Sequence, residues 1–445
     1  MLDTNKETQA QFDFFKPAND NQTTTNDNQI TTIVISMSGG RTSGFMGKWM
    51  IDNKEIVAKH YGIPLHLLKY IFVFANTGME AEESLEFMRD TSDNFNMDCV
   101  WLEGVANHGK KIKTGFRQIS FEKAYRIEQY KDVKHPMHDY IIKYGQPNQS
   151  YMSCTRELKQ NTIVSYLESI GLSEQEVYTA IGIRTDEATR CSDSAHKRNL
   201  IYPLVDIRPT NEPEILTWWK QYEWDLKIER HMGNCVMCYE KCSISLNKVY
   251  NEMPLAIEIM HYFEDRYAYQ GPEFEKYDDA IPRATYRGKE YANQMIARFK
   301  MLNEDKEQRN INSIDEHYKV IADEKALMRK QLNQILKQNN AVNSIKTNKP
   351  ATIKAAWIYE NIIKITTDTP NDLASKAAAA HKTASIDTVQ FEKSINEFKT
   401  WFDENNLKAE ILTSQLVEVE LPGAKNLPKY QEKIKNRKGL LSLTA

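Results

Sequence analysis

Apolar residues in the first half of the chain come in short runs, and these runs alternate with stretches of helical period. Ile33-Val34-Ile35, within Thr32–Met37, reads as a buried parallel strand. Tyr70–Ala75, Asp98–Leu102, Val177–Ile183 and Leu200–Leu204 read as further strands. Amphipathic stretches lie between them at 43–60, 82–94 and 155–170; in the first, Phe45, Met46, Trp49 and Met50 recur at helical spacing. Such alternation over residues 30 to 210 predicts an α/β fold with a doubly wound, mostly parallel sheet. Ligands on these sheets bind beyond the C-terminal ends of the strands. The loops starting at Ser38, Asn76 and Arg184 are thereby expected on one rim.

Past residue 210 the pattern changes. Thr217-Trp218-Trp219 and Tyr222-Glu223-Trp224 fall in a predicted helix, where the two tryptophans read as packing residues. Residues 246–340 read as a charged helical extension, with Asn339-Asn340 starting a linker. Residues 341–445 read as a small helical module with helical signal over 350–405: Ala355, Trp357, Ile358, Ile362 and Ile363, an alanine run at 377–380, then Phe391 to Phe402. The first 29 residues are rich in Asn, Gln, Thr and Asp and predict a disordered tail. The sheet domain spans 30–245.

Composition narrows the classes. A chain of 445 residues has room for two or three domains. A net charge of −3 supplies no global pull toward nucleic acid or an anionic membrane. No stretch approaches the roughly 18 uninterrupted apolar residues of a spanning helix, and no basic-then-apolar signal begins the chain. A cytoplasmic location is therefore expected, with no membrane partner. There the six cysteines are thiols or metal ligands rather than disulfides.

The densest chemical signal is Ser38-Gly39-Gly40-Arg41-Thr42-Ser43, lying between the first strand and the first helix. Strand, glycine-rich turn and helix together present consecutive backbone N–H groups to an anion such as phosphate or sulfate. Gly39 and Gly40 permit positive φ and close ligand approach, while Thr42 and Ser43 are expected to cap the helix. A tight turn holding no ligand is the plainer alternative.

Four more segments follow in order. Phe74-Ala75-Asn76-Thr77-Gly78 ends the second strand, and Cys154-Thr155-Arg156-Glu157-Leu158-Lys159 opens a helix. Gly182-Ile183-Arg184-Thr185-Asp186-Glu187, with Arg190, leaves another strand, and Ile201-Tyr202-Pro203-Leu204-Val205-Asp206 precedes the tryptophan helix. Together with the glycine turn, these resemble the phosphoadenosine phosphosulfate reductase-like branch of the adenine nucleotide α-hydrolase (PP-loop) superfamily. The likeness runs over residues 30–245, and the Arg-Thr-Ser loop with the Ala-Asn-Thr-Gly turn is similar to phage and mobile-element members.

That resemblance implies an adenine nucleotide, ATP or phosphoadenylyl sulfate, with its pyrophosphate or sulfate end in Ser38–Ser43. Adenine and ribose would lie at the strand ends near Ser36–Ser38 and Phe74–Asn76, with the Thr77-Gly78 turn beside them. Arg184 and Arg190 would reach the oxyanion, where a guanidinium fork matches tetrahedral oxygens, and Lys159 would add a second charge. Either arginine could instead pair with Asp186, Glu187 or Asp193. Cleavage of a phosphoanhydride or phosphosulfate bond puts negative charge on the leaving group, which preorganised donors stabilise. Mg²⁺ is expected if the ligand is ATP.

Cysteines refine this picture. Cys235-x₂-Cys238-x₃-Cys242, with Cys154 upstream, offers four thiolates suited to a [4Fe–4S] cluster or a structural Zn²⁺. The resemblance implies iron–sulfur, although Ser153 stands where members commonly carry a paired cysteine. No cysteine follows Cys242, so the C-terminal nucleophile of dedicated sulfonucleotide reductases has no counterpart here, and Thr42 stands where pyrophosphatase loops often carry Asp. These departures imply sulfur transfer with a thiol reductant or sulfur donor. Cys99 reads as core; Cys191 is a reactive thiol or an ordinary surface cysteine. The stretch Lys425–Lys438, with six basic residues and one acidic, reads as a nucleic-acid contact or a solvated tail. The alternative function is thus a nucleotide-dependent regulatory protein that binds DNA, RNA or another protein.

Overall fold

The strand Thr31–Met37 (β1) is buried along nearly its whole length within a six-stranded sheet. The computed structural model describes residues 30–108, 113–148, 152–267, 286–287, 290–339, 363–364, 388–407 and 410–411. The expected tail over 1–29, the alanine run at 377–380 and the basic stretch Lys425–Lys438 lie outside these residues.

After β1 come Arg41–Asp52 (α1), Lys54–His60 (α2), Leu68–Asn76 (β2), Glu82–Asn94 (α3), Val100–Val105 (β3) and Gly115–Ile119 (β4). Then follow Pro136–Tyr144 (α4), Thr162–Ser169 (α5), Val177–Ile181 (β5), Leu200–Ile201 (β6), Pro203–Asp206 (α6) and Glu212–Trp219 (α7). Sheet order is β4-β3-β2-β1-β5-β6, parallel except for β4, which pairs antiparallel with β3 through Trp101 and Ile119. Strand order reverses direction at β1, so the sheet's switch point, where crevices form on such folds, lies at the end of β1.

Alternation along β1 fills both faces. Ile33, Ile35 and Met37 join Phe72 and Phe74 of β2, Met46 of α1, Phe87 of α3 and Trp219 of α7. Val34, Val73 and Ala75 face the other way, onto Ile163 and Leu167 of α5. Helices thus cover both faces, as strand–helix alternation predicts.

Four local expectations change. The helix expected over 43–60 is two helices, broken at Asn53, whose side-chain amide donates to the Trp49 carbonyl at 2.9 Å. The stretch expected as one helix over 155–170 opens with π-helical Arg156–Asn161. The strand expected over Leu200–Leu204 stops at Ile201, because Pro203 cannot donate to a ladder and starts a helical turn instead. Strand β4 has no counterpart in the apolar pattern.

The chain divides into two compact units, Met1–Ala292 and Asn293–Ala445. The division falls later than the expected boundary at 245, so Ser243–Glu252 (α8) and Pro254–Tyr267 (α9) belong to the first unit. There His138 of α4 meets the Tyr267 hydroxyl of α9 at 2.5 Å. Glu264 on α9 is buried and accepts N–H bonds from Tyr286 (2.7 Å) and Ala292 (2.5 Å). Burial pushes its carboxyl from 4.5 up to about 7. The folded chain therefore holds more protons than the unfolded chain between pH 4.5 and 7. Unfolding free energy should fall by on the order of 2–3 kcal/mol as pH rises through that window. Glu264→Gln should flatten this dependence in denaturant titrations at pH 5 and 7.5.

In the second unit, Ala292–Gln308 (α10), which opens at the boundary residue, precedes Ile314–Gln338 (α11) and Thr388–Glu404 (α12). Asn339 donates to the Ser394 hydroxyl (3.1 Å) and the Glu397 carboxylate (2.8 Å) of α12. Ile363–Lys364 (β7) pairs antiparallel with Glu410–Ile411 (β8). Among the described residues, no helix is long and apolar enough to cross a membrane.

Candidate functional site

Beyond the end of β1 the chain turns through Ser38, Gly39 and Gly40 into α1. Gly39 has φ +70°, and a Cβ there would lie 3.2 Å from the Ser84 carbonyl in the first turn of α3. Gly40 is extended and is the N-cap of α1, yet no side chain caps that helix. The expected capping by Thr42 and Ser43 does not occur, because both hydroxyls are engaged elsewhere. Ser43 Oγ accepts from Ser38 N–H (3.1 Å) and donates to the Gly40 carbonyl (3.0 Å). Thr42 Oγ1 accepts from Arg184. The first N–H groups of α1 are thus left without a side-chain acceptor, the donor set an oxyanion would use.

The loop is held from three sides. Gly182, just past β5, approaches so closely that a Cβ would meet Ser43 Cα at 3.2 Å and Ser43 N at 3.3 Å. Trp219 donates its indole N–H to the Arg41 carbonyl at 2.9 Å, and its ring fills the space a Cβ on Gly44 would need. The Arg41 guanidinium pairs with Asp225 through contacts of 2.6 and 3.0 Å, so Arg41 offers the turn its backbone while its charge is committed elsewhere. Trp218 and Trp219 pack among Phe45, Phe87 and Phe95, as packing residues.

Arg184 does reach the loop. Its side chain is 13% exposed and donates to Thr42 Oγ1 at 3.1 Å. Asp186 grips it from behind with two contacts of 3.0 Å, and Glu187 lies 3.5 Å away. The hydrogen bond Arg184 donates to Asp186 holds the guanidinium pKa above its ordinary value. Arg190 is not brought to the loop; it is 67% exposed and pairs with Glu187.

At the end of β2, Asn76 is fully buried. Its amide donates to Glu103 (2.7 Å) and the Tyr125 carbonyl (3.0 Å), and its Oδ1 accepts from Gly78 N–H (3.1 Å). The Thr77 hydroxyl donates to Glu80 at 2.8 Å. Gly78 has φ +75° and lies against His135, whose Nε2 is 3.2 Å from the Gly78 carbonyl. These side chains therefore build the turn. Ser36 is half-buried within β1 and Ser38 is exposed in the turn.

Glu80 joins this turn to the cysteines. It forms an antiparallel bridge with Cys235, Val236 N–H donates to the Met79 carbonyl (2.8 Å), and Lys159 Nζ lies 3.9 Å from its carboxylate. Burial pushes the Cys235 thiol well up, reinforced by nearby Cys238, Glu80 and Cys154. Burial also raises Cys154, whose Sγ lies 3.8 Å from the Tyr239 hydroxyl. Lys241 sits beside Cys235 and Cys238 and donates to the Gly233 carbonyl at 3.1 Å. Cys242 is different: it is exposed, and its Sγ lies 3.3 Å from the Ser245 hydroxyl. Partial burial would raise its pKa, but hydrogen bonding with Ser245 and Ile244 outweighs that and lowers it.

Three thiols therefore converge while Cys242 faces solvent. Among the described residues, no group of three or more His, Cys, Asp or Glu side chains is placed to hold a metal ion. Cys242 thus stands apart from the other three thiols of the expected four-thiol set. A separate polar cavity of about 530 Å³ opens at the opposite rim, beside Ser92, Asp98, Trp101 and Ser120.

Several contributors were not singled out in the sequence: Glu80, Glu103, Asp225, Tyr239 and Lys241. Glu80 carried a signal, since it follows a turn whose Thr77 can bond it. Asp225 and Glu103 are ordinary acids until the fold brings their arginines to them.

No family model matches the chain, and no solved structure matches it. Over 216 residues it is similar, at 29% identity, to the uncharacterized nin region protein ORF290 of Escherichia phage lambda. The match takes in 47% of this chain and 66% of that protein's length.

Proposed function

We propose that the chain is a phosphoadenosine phosphosulfate reductase-like enzyme that binds an adenine nucleotide and cleaves its phosphoanhydride or phosphosulfate bond in sulfur transfer. The observation that carries this reading is the uncapped glycine turn at the switch point, with Arg184 3.1 Å from Thr42. The N–H groups bind and orient the tetrahedral end, and the guanidinium meets charge as it develops on the leaving group. The converging thiols support the sulfur part. Glu80 beside Cys235 precedes α3 and Ser84 beside Gly39 lies in its first turn, so thiols and loop flank the start of α3.

The test is nucleotide binding, with release of pyrophosphate or sulfite, for ATP, adenylyl sulfate and its 3′-phosphorylated form. Arg184→Ala should weaken binding about 10- to 150-fold, the value of a charge-assisted hydrogen bond. If the parent chain binds none of the three, the reading fails.

A further inference from the structure

No residue of the proposed nucleotide site lines the polar cavity at the opposite rim, which lies among the last turns of α3, the start of β3 and the end of β4. Its inner wall and its mouth differ in character. Trp101 and Ser92 line it and are 7% and 8% exposed. Ser92 Oγ accepts from Cys99 N–H at 3.2 Å and donates to nothing among the described residues. The Trp101 indole N–H likewise has no acceptor among them. Two donors on side chains more than nine-tenths buried are thus unspent, and such donors cost stability until water or a ligand accepts from them. At the mouth, Asp93, Asp98 and Glu122 are exposed, and none forms an ion pair among the described residues. Arg89, the cation among the lining residues, is taken by Asp90 at 2.8 Å and lies over the Phe121 ring at 4.5 Å. Arg126, also near Glu122, pairs with Glu82 at 2.8 Å.

This arrangement selects a guest by charge and by polarity. Three carboxylates beside one committed guanidinium disfavour phosphate and carboxylate groups, so the cavity is no second nucleotide site. A purely apolar guest would leave both inner donors unpaired. Both ends are satisfied by a small molecule that turns an ammonium group toward the mouth and oxygen acceptors toward Trp101 and Ser92. A volume of about 530 Å³ is of small-molecule size, with room for a sugar-sized ring.

We infer that this cavity binds a small organic ammonium that also bears hydroxyl groups, of the aminosugar or amino-alcohol class. Titration of the full chain with glucosamine, glucose and cyclohexylamine, at low ionic strength and slightly acidic pH where both amines are protonated, tests it. The three probes share a six-membered ring and carry both features, hydroxyls alone and the ammonium alone. Solvent screens the exposed carboxylates, so their summed attraction is modest: glucosamine should bind at least about fivefold more tightly than glucose. It should bind at least about threefold more tightly than cyclohexylamine, whose ring offers the inner donors no acceptor. Asp93→Asn combined with Glu122→Gln changes exposed positions only and should cut the preference over glucose to about twofold or less. Trp101→Phe, with folding checked by thermal denaturation, should shrink the preference over cyclohexylamine. Equal affinity for the three probes, no measurable glucosamine binding, or a folded double variant that keeps its preference over glucose would each overturn the inference and leave the nucleotide reading untouched.

Discussion

Gly40→Asp should fold at least as stably as the parent chain and bind adenine nucleotide at least about 100-fold more weakly. Space is available: a Cβ at Gly40 would meet only the Ser38 hydroxyl, at 3.5 Å. The backbone there is extended, φ −118° and ψ 158°, which any residue adopts. The new carboxylate would stand at the N-cap of α1, where it accepts from the N–H groups of Thr42 or Ser43 and adds roughly a few tenths of a kcal/mol of stability. Those are the donors assigned to the nucleotide's oxyanion, so the variant fills the site with its own negative charge. Thermal denaturation and equilibrium binding, run together, check both halves. A variant that binds normally would show that the turn holds no anion.

Glu103→Ala should lower stability by about 3–5 kcal/mol, the range for breaking a buried ion pair from one side. Glu103 has no exposed surface, accepts from Asn76 Nδ2 and Tyr125 N–H at 2.7 Å each, and pairs with Arg117 at 2.7 Å. Truncation strands three donors at once. It also frees Asn76, which sets the turn after β2, so the damage spreads from the sheet to the rim. Glu103→Gln keeps an acceptor oxygen and should lose about half as much. Urea unfolding of the two variants beside the parent measures the difference.

The sheet was legible wherever a strand is rich in apolar residues: β1, β2 and β5 lie within a residue or two of their expected bounds, and α3 matches 82–94. β4 escaped notice because Gly115-Phe116-Arg117-Gln118-Ile119 lies at the sheet's edge, where half the positions stay polar. The placement of the glycine turn and of Arg184 was legible because both directly follow a strand end. Arg190 and Cys242 were not, since their orientation depends on neighbours distant in sequence or on a local ion pair that competes with the site. Asn76-Thr77-Gly78 shows the same limit: its residue types suit a ligand-binding turn and a self-supporting one equally, and buried Glu103 and Glu80 decide the outcome.

The sheet's two borders also bear on how the protein survives at high concentration. One border, β6, is two residues long, and the other, β4, is five residues and carries Arg117. Neither offers a long, flat, greasy ribbon onto which a second chain could zip its backbone. The margins of this sheet thereby disfavour edge-to-edge pairing, independently of any chemistry at its centre.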